Sequence, residues 1–125
     1  MKKSNRGQTI ILLLVFMIVA LMVTTASVIS MSVNIRATEK VQEGTHAFDL
    51  AESGAENAMV KLLRDINYAG ETLALPQGNV EITVTGTNPQ LVRSTSTVGD
   101  FQRTIEVTVD TANNTLTVLS WKEVI

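Results

Sequence analysis

No charged residue occurs between Arg6 and Arg36. Within that gap Ile10 to Val23 is apolar without a break, and Thr24 to Val33 is uncharged and mostly small or apolar. About 20 residues of α-helix cross the roughly 30 Å hydrocarbon core of a bilayer. The stretch therefore predicts a membrane-spanning helix, and the rest of the chain has to be read around an anchor in lipid. In a chain of 125 residues that leaves material for one small domain.

The small domain has few ways to gain stability. The sequence has no cysteine, so neither disulfides nor thiolate metal sites are available to it. A domain of this size buries only a modest fraction of its surface, so packing or contact with other subunits must hold it. The net charge is −2, from twelve acidic and ten basic residues. Three of the basic residues, Lys2, Lys3 and Arg6, precede the apolar run, leaving seven against twelve acidic in the body. That balance argues against nucleic acid as a partner. By the positive-inside bias the same three residues place the N-terminus in the cytoplasm and residues 36 onward across the membrane.

Three kinds of segment have a short basic start followed by an apolar run. A secretory signal peptide has a run of about 7 to 15 residues and then a small-residue cleavage site; Thr24-Thr25-Ala26 matches that site poorly. The second is an uncleaved anchor. The third is a leader that ends in Gly7 and is cut on the cytoplasmic side, directly against the run. The helical period favours the third reading, because it continues past the apolar stretch. Val33, Ala37, Val41, Gly44, Phe48, Ala51, Ala55, Ala58 and Leu62 recur every three or four residues, which is a helical stripe. No proline occurs between Gln8 and Leu75. One helix is expected from about Thr9 to about Tyr68, with Gly70 as its stop. Gly44, Gly54 and the Thr24-Thr25 pair are its weak points. The stripe reads as the cover of a core, and the small residues of the helix, Ala47, Ala51, Gly54, Ala55 and Ala58, also suit close approach of another helix.

After the turn Leu75-Pro76-Gln77-Gly78 the period becomes two. Val80, Ile82 and Val84 alternate with Glu81, Thr83 and Thr85; Ile105, Val107 and Val109 alternate with Thr104, Glu106 and Thr108. Leu91 to Val98 and Thr115 to Val124 make two further strands. Breaks at Gly86-Thr87-Asn88-Pro89, Gly99-Asp100 and Asp110 to Asn114 are short, so a four-stranded antiparallel meander is expected, packed on the helix in two layers. The fold class is α+β. The expected divisions are a leader over 1–7, a membrane half over 8–33, an amphipathic half over 34–69 and a β-domain over 79–125.

The junction Arg6-Gly7-Gln8 and the segment Ala47-Phe48-Asp49-Leu50-Ala51-Glu52-Ser53-Gly54-Ala55-Glu56-Asn57-Ala58 resemble the N-terminal region of the type IV pilin and pseudopilin superfamily. They are most similar to the PilX-like minor pilins and the K-type pseudopilins of type II secretion. The resemblance covers about residues 1 to 65. It implies cleavage by a prepilin peptidase between Gly7 and Gln8, N-methylation of the new terminus, an inner-membrane assembly platform as partner, and a filament of pilin or pseudopilin subunits. It places Ile10, Leu12, Leu14, Val19 and Val23 in the membrane and later in the filament core. It assigns Val41, Phe48, Ala51, Ala55, Ala58 and Leu62 to helix–sheet or subunit packing. Most of the family carries a glutamate five residues into the mature chain, where this sequence has Leu12; the departure implies a minor subunit.

Other residues offer little chemistry. His46 is the sole histidine and reads as exposed on the helix. Glu52 and Glu56 share a helix face and read as a polar surface or as a contact for Lys or Arg of another subunit. Asp110 and Asn113-Asn114 read as a hairpin turn in preference to a calcium loop, and Asn113-Asn114-Thr115 is a sequon of low specificity. Trp121 is expected between sheet and helix. No cofactor or metal is expected, and no enzyme. The rival reading is an uncleaved single-pass protein whose β-domain binds a partner; a second rival is a soluble domain released near Ala26.

Overall fold

The computed structural model describes residues 6–113 and 115–125. The leader residues Lys2 and Lys3, and Asn114 of the expected last turn, lie outside the described residues. The chain divides into two units, one up to Glu39 and one over Lys40–Ile125.

The first unit is helix alone. Helix α1, Arg6–Arg64, begins there, and Gly7 and Gln8 stand in its first turns. The Thr24-Thr25 pair does not break it. The Thr24 hydroxyl donates to the Ala20 and Leu21 carbonyls, each at 3.0 Å, Thr25 to Leu21 at 2.7 Å and Ser27 to Val23 at 2.9 Å. Each hydroxyl is thereby satisfied within its own helix, as a lipid environment requires.

The second unit carries the end of α1 and a sheet. The strands are β1 Gly70–Leu75, β2 Gly78–Thr85, β3 Gln90–Val98, β4 Phe101–Ala112 and β5 Thr115–Val124. They form one antiparallel sheet in the order β1-β2-β3-β4-β5. The expected meander is present, with five strands where four are expected. The extra strand is β1, whose run GETLAL has no clean alternation. Its register, Gly70 opposite Thr83 to Leu75 opposite Gly78, leaves only Pro76-Gln77 as the turn.

Two boundaries also differ. The helix ends at Arg64, not Tyr68, because the Asp65 carboxylate accepts from the Asn67 backbone N–H at 2.9 Å. That side-chain turn offers the backbone an alternative to the helix, so Gly70 opens β1 and is not the helix stop. At the far hairpin Asp110 to Ala112 remain in β4, with Ala112 opposite Thr115 and Asn113 at φ 53°. The Gly99-Asp100 turn stands as expected, with Gly99 at φ 55°, a left-handed conformation that glycine adopts without strain.

The core follows the strand period. Val80 and Ile82 of β2, Val92 of β3, and Ile105, Val107 and Val109 of β4 are buried against Ala51, Ala55, Ala58 and Leu62 of the helix. Phe48 packs at its margin.

Candidate membrane-inserting and packing surfaces of the long helix

The helix presents two surfaces of opposite character. In the first unit every apolar side chain is bare: Ile10, Leu12, Leu14, Val19 and Val23 are all more than half exposed. Nothing in the structure buries any part of the apolar window, which is long and apolar enough to cross a bilayer. In water a bare surface of this extent is strongly unfavourable, at about 25 cal/mol for each Å². At the junction Gln8 is exposed, and a side chain added at Gly7 would meet nothing within 4 Å.

In the second unit the stripe is spent on the chain's own sheet. Ala47, Ala51, Ala55 and Ala58 are fully buried. A Cβ at Gly54 would lie 2.6 Å from Val80 Cγ1 and closer still to Ser94 Oγ. The facing strand supplies Ser94 and Ser96, both buried, and the Ser96 hydroxyl donates to the Ala47 carbonyl. Small residues on the helix and serines on β3 thus let the two layers approach closely. Val41, expected in helix–sheet or subunit packing, is 71% exposed and lies outside the buried core against the sheet. The sheet ends at the Gly99-Asp100 turn, beside Glu43, so Gly44 is the first helix residue to be covered. Ala47, on the face next to the predicted stripe, takes the place that period reasoning gave to Phe48.

Two ion clusters tie neighbouring elements of the folded unit together. Glu71 of β1 pairs with Lys61 of the helix and accepts from Asn57 Nδ2 at 3.4 Å. These contacts, Lys61 foremost, hold the Glu71 carboxyl below its ordinary range. Lys61 Nζ also stands 5.5 Å from the centre of the Tyr68 ring, a cation–π distance. The Tyr68 hydroxyl makes no well-formed hydrogen bond among the described residues. Burial first, and then the Glu71 carboxylate beside it, push its pKa up to about 12. On the outer face Glu106 accepts from Arg93 Nε at 3.0 Å and pairs with Lys122 at 3.3 Å. Arg93 before all, then Lys122, hold its carboxyl low.

The remaining residues singled out by sequence are dispersed. His46 and Glu56 are exposed, and Glu52 is half-buried. Trp121 does lie on the helix-facing side of β5, opposite Val107, but it is 37% exposed, because the buried core of the helix is made with β2, β3 and β4. No group of three or more His, Asp or Glu side chains converges among the described residues. Comparison with protein-family models, with curated proteins and with solved structures finds no match.

Proposed function

We propose that this chain is a structural subunit of the pilin and pseudopilin kind, a minor subunit of a type IV pilus-like or type II secretion-like filament without chemistry of its own. The observation that carries this reading is the divided use of one uninterrupted helix. Its apolar N-terminal stretch is bare, while its continuation is spent on the chain's own sheet. Such a helix can rest in lipid and later exchange lipid contacts for contacts with other helices, while the folded unit needs no rearrangement.

In this reading a prepilin peptidase cuts between Gly7 and Gln8 on the cytoplasmic face. The open surroundings of both residues support that assignment, and replacing the glycine would remove the small residue at the cut. Residues 36 onward then lie across the membrane, and the inner-membrane platform and other subunits are the partners. The test is the intact mass and N-terminal residue of the protein recovered from its native membranes. A chain starting at Gln8, and a Gly7→Leu variant that retains Met1, are the expected results. A wild-type chain starting at Met1 overturns the reading and leaves a membrane-anchored β-domain.

A further inference from the structure

At the Gly99-Asp100 end of the sheet a cleft of about 510 Å³ opens between the helix and the last two strands. Lys40, Val41 and Phe48 of α1 line one wall; Phe101 and Arg103 of β4 and Glu123 of β5 line the other. All six belong to the second unit. Arg103 Nη1 donates to Glu123 Oε1 at 2.7 Å, while Nη2 of the same guanidinium engages nothing among the described residues. Nη2 and the Phe101 ring stand side by side, 4.0 Å and 3.7 Å from the point where a Cβ would lie on Gly44. Lys40 precedes Gly44 by four residues and so shares its side of the helix. It is exposed and has no partner among the described residues.

Two cations against one carboxylate leave the lining with one positive charge. Glu43 lies against Gly99, and Asp100 follows in the same turn, but neither lines the cleft. The remaining lining is apolar: Val41 is largely exposed, and Phe48 and Phe101 are half-buried. A guanidinium with a free nitrogen and an ammonium suit a phosphate, and the rings and Val41 suit an apolar body attached to it. The position of the cleft in the chain says where such a molecule comes from. Ile35 closes the uncharged stretch, and the five residues from it to Lys40 reach at most about 18 Å, however the chain runs. A bilayer spanned by that stretch therefore keeps Lys40 beside its headgroup layer.

We propose that the cleft holds the headgroup of a bilayer phospholipid, with the phosphodiester between Lys40 Nζ and Arg103 Nη2 and the glycerol against Val41 and Phe101. The bound lipid holds the folded unit down on the membrane. This site rests on the membrane-spanning part of the reading above and is independent of cleavage at Gly7 and of filament assembly.

The absence of cysteine allows a single label. Gln102 is exposed and stands between Phe101 and Arg103 without lining the cleft, and Thr87 is exposed beyond the opposite end of β3. The full-length Gln102→Cys and Thr87→Cys chains carry bimane and are placed in phosphatidylcholine and phosphatidylglycerol vesicles that contain a headgroup-spin-labelled phosphatidylcholine. Quenching several-fold stronger at 102 than at 87 is expected. Lys40→Gln with Arg103→Gln should bring it down to the level at 87. Lys40→Gln alone, which leaves the Arg103–Glu123 pair intact, should remove part of it, and Lys122→Gln on the outer face should remove none. Unchanged Tm by Trp121 fluorescence shows that each variant folds. Equal quenching at the two labels, quenching that the double variant retains, or a loss reproduced by Lys122→Gln overturns the proposal. So does relief by inorganic phosphate but not by sulfate at the same ionic strength, which would make a soluble phosphate the ligand. A chain that stays in the vesicles through carbonate extraction without quenching at 102 refutes the lipid site alone; a chain that carbonate releases refutes the membrane span and the site with it.

Discussion

Replacing Gly54 with alanine should destabilise the folded unit, against the usual direction of such a change. In an exposed helix interior the substitution is favourable by about 1 kcal/mol. Here the new methyl group would stand 2.6 Å from Val80 Cγ1 and within contact of Ser94 Oγ, where carbon atoms ordinarily rest about 3.5–4.0 Å apart. Val80 is β-branched and stiff at χ1, and Ser94 is fully buried, so neither can turn aside cheaply. The helix must lift from the sheet, loosening the neighbouring Ala51, Ala55 and Ala58 contacts. Overpacking of this kind costs roughly 1–3 kcal/mol; set against the helical gain, the net loss is about 1 kcal/mol, or roughly 4–8 °C in Tm for a unit of this size. Gly44 is the internal control, because a Cβ there meets Phe101 at an ordinary 3.7 Å, so Gly44→Ala should gain about 1 kcal/mol. The assay is unfolding of the full-length chain in detergent micelles, followed by the fluorescence of Trp121, the one tryptophan. Gly54→Ala at or above wild-type stability, or Gly44→Ala below it, would refute the close-approach argument.

Three further outcomes follow from the same structure. Glu71 and Glu106 both titrate below their ordinary value of 4.5; a depressed carboxylate contributes stability above the unfolded value and loses it as pH falls through the folded one. Tm should therefore be level above that value and drop as pH is lowered beneath it, and Glu106→Gln should flatten the drop; a Tm indifferent to acid would contradict the pairing. Tyr68 is the sole tyrosine, so an absorbance titration should find its phenol ionising near pH 12. Its neutral form is the one favoured, so its stability contribution is complete below the unfolded pKa and is lost as pH rises through the folded one; Glu71→Gln should move the titration down. Leu14→Lys or Val19→Lys places a charge costing about 3 kcal/mol in the middle of the apolar run, and each should shift the protein out of the membrane fraction in carbonate extraction; full recovery in membranes would argue against that run as the anchor.

What could be read without the structure is set by local periodicity. Ile10 to Val23 marks a bilayer-length helix by composition alone, since lipid asks only for apolar length. β2 and β4 are legible because Val80-Ile82 and Ile105-Val107-Val109 each place one dry face at a period of two. The Gly99-Asp100 turn is legible because its glycine answers a backbone need within two residues. β1 has no such pattern: it is an edge strand tied by Glu71 to Lys61, a contact between residues whose proximity depends on the fold. The helix end is not legible, because Gly70 is a stronger stop signal than Asp65, whose carboxylate turns the chain.

The sequence by itself determined an apolar stretch long enough to cross a bilayer, the continuity of the helix and the antiparallel succession of strands, because each follows from forces between near neighbours and a solvent. Only the tertiary structure decided how the small residues are used. Ala47 and Gly54 matter because Ser96 and Ser94 arrive opposite them, from more than 39 residues away. Trp121 is left half-open because one helix is too narrow to cover five strands. Both outcomes depend on which surfaces meet, and no residue's own neighbourhood in the chain contains that information.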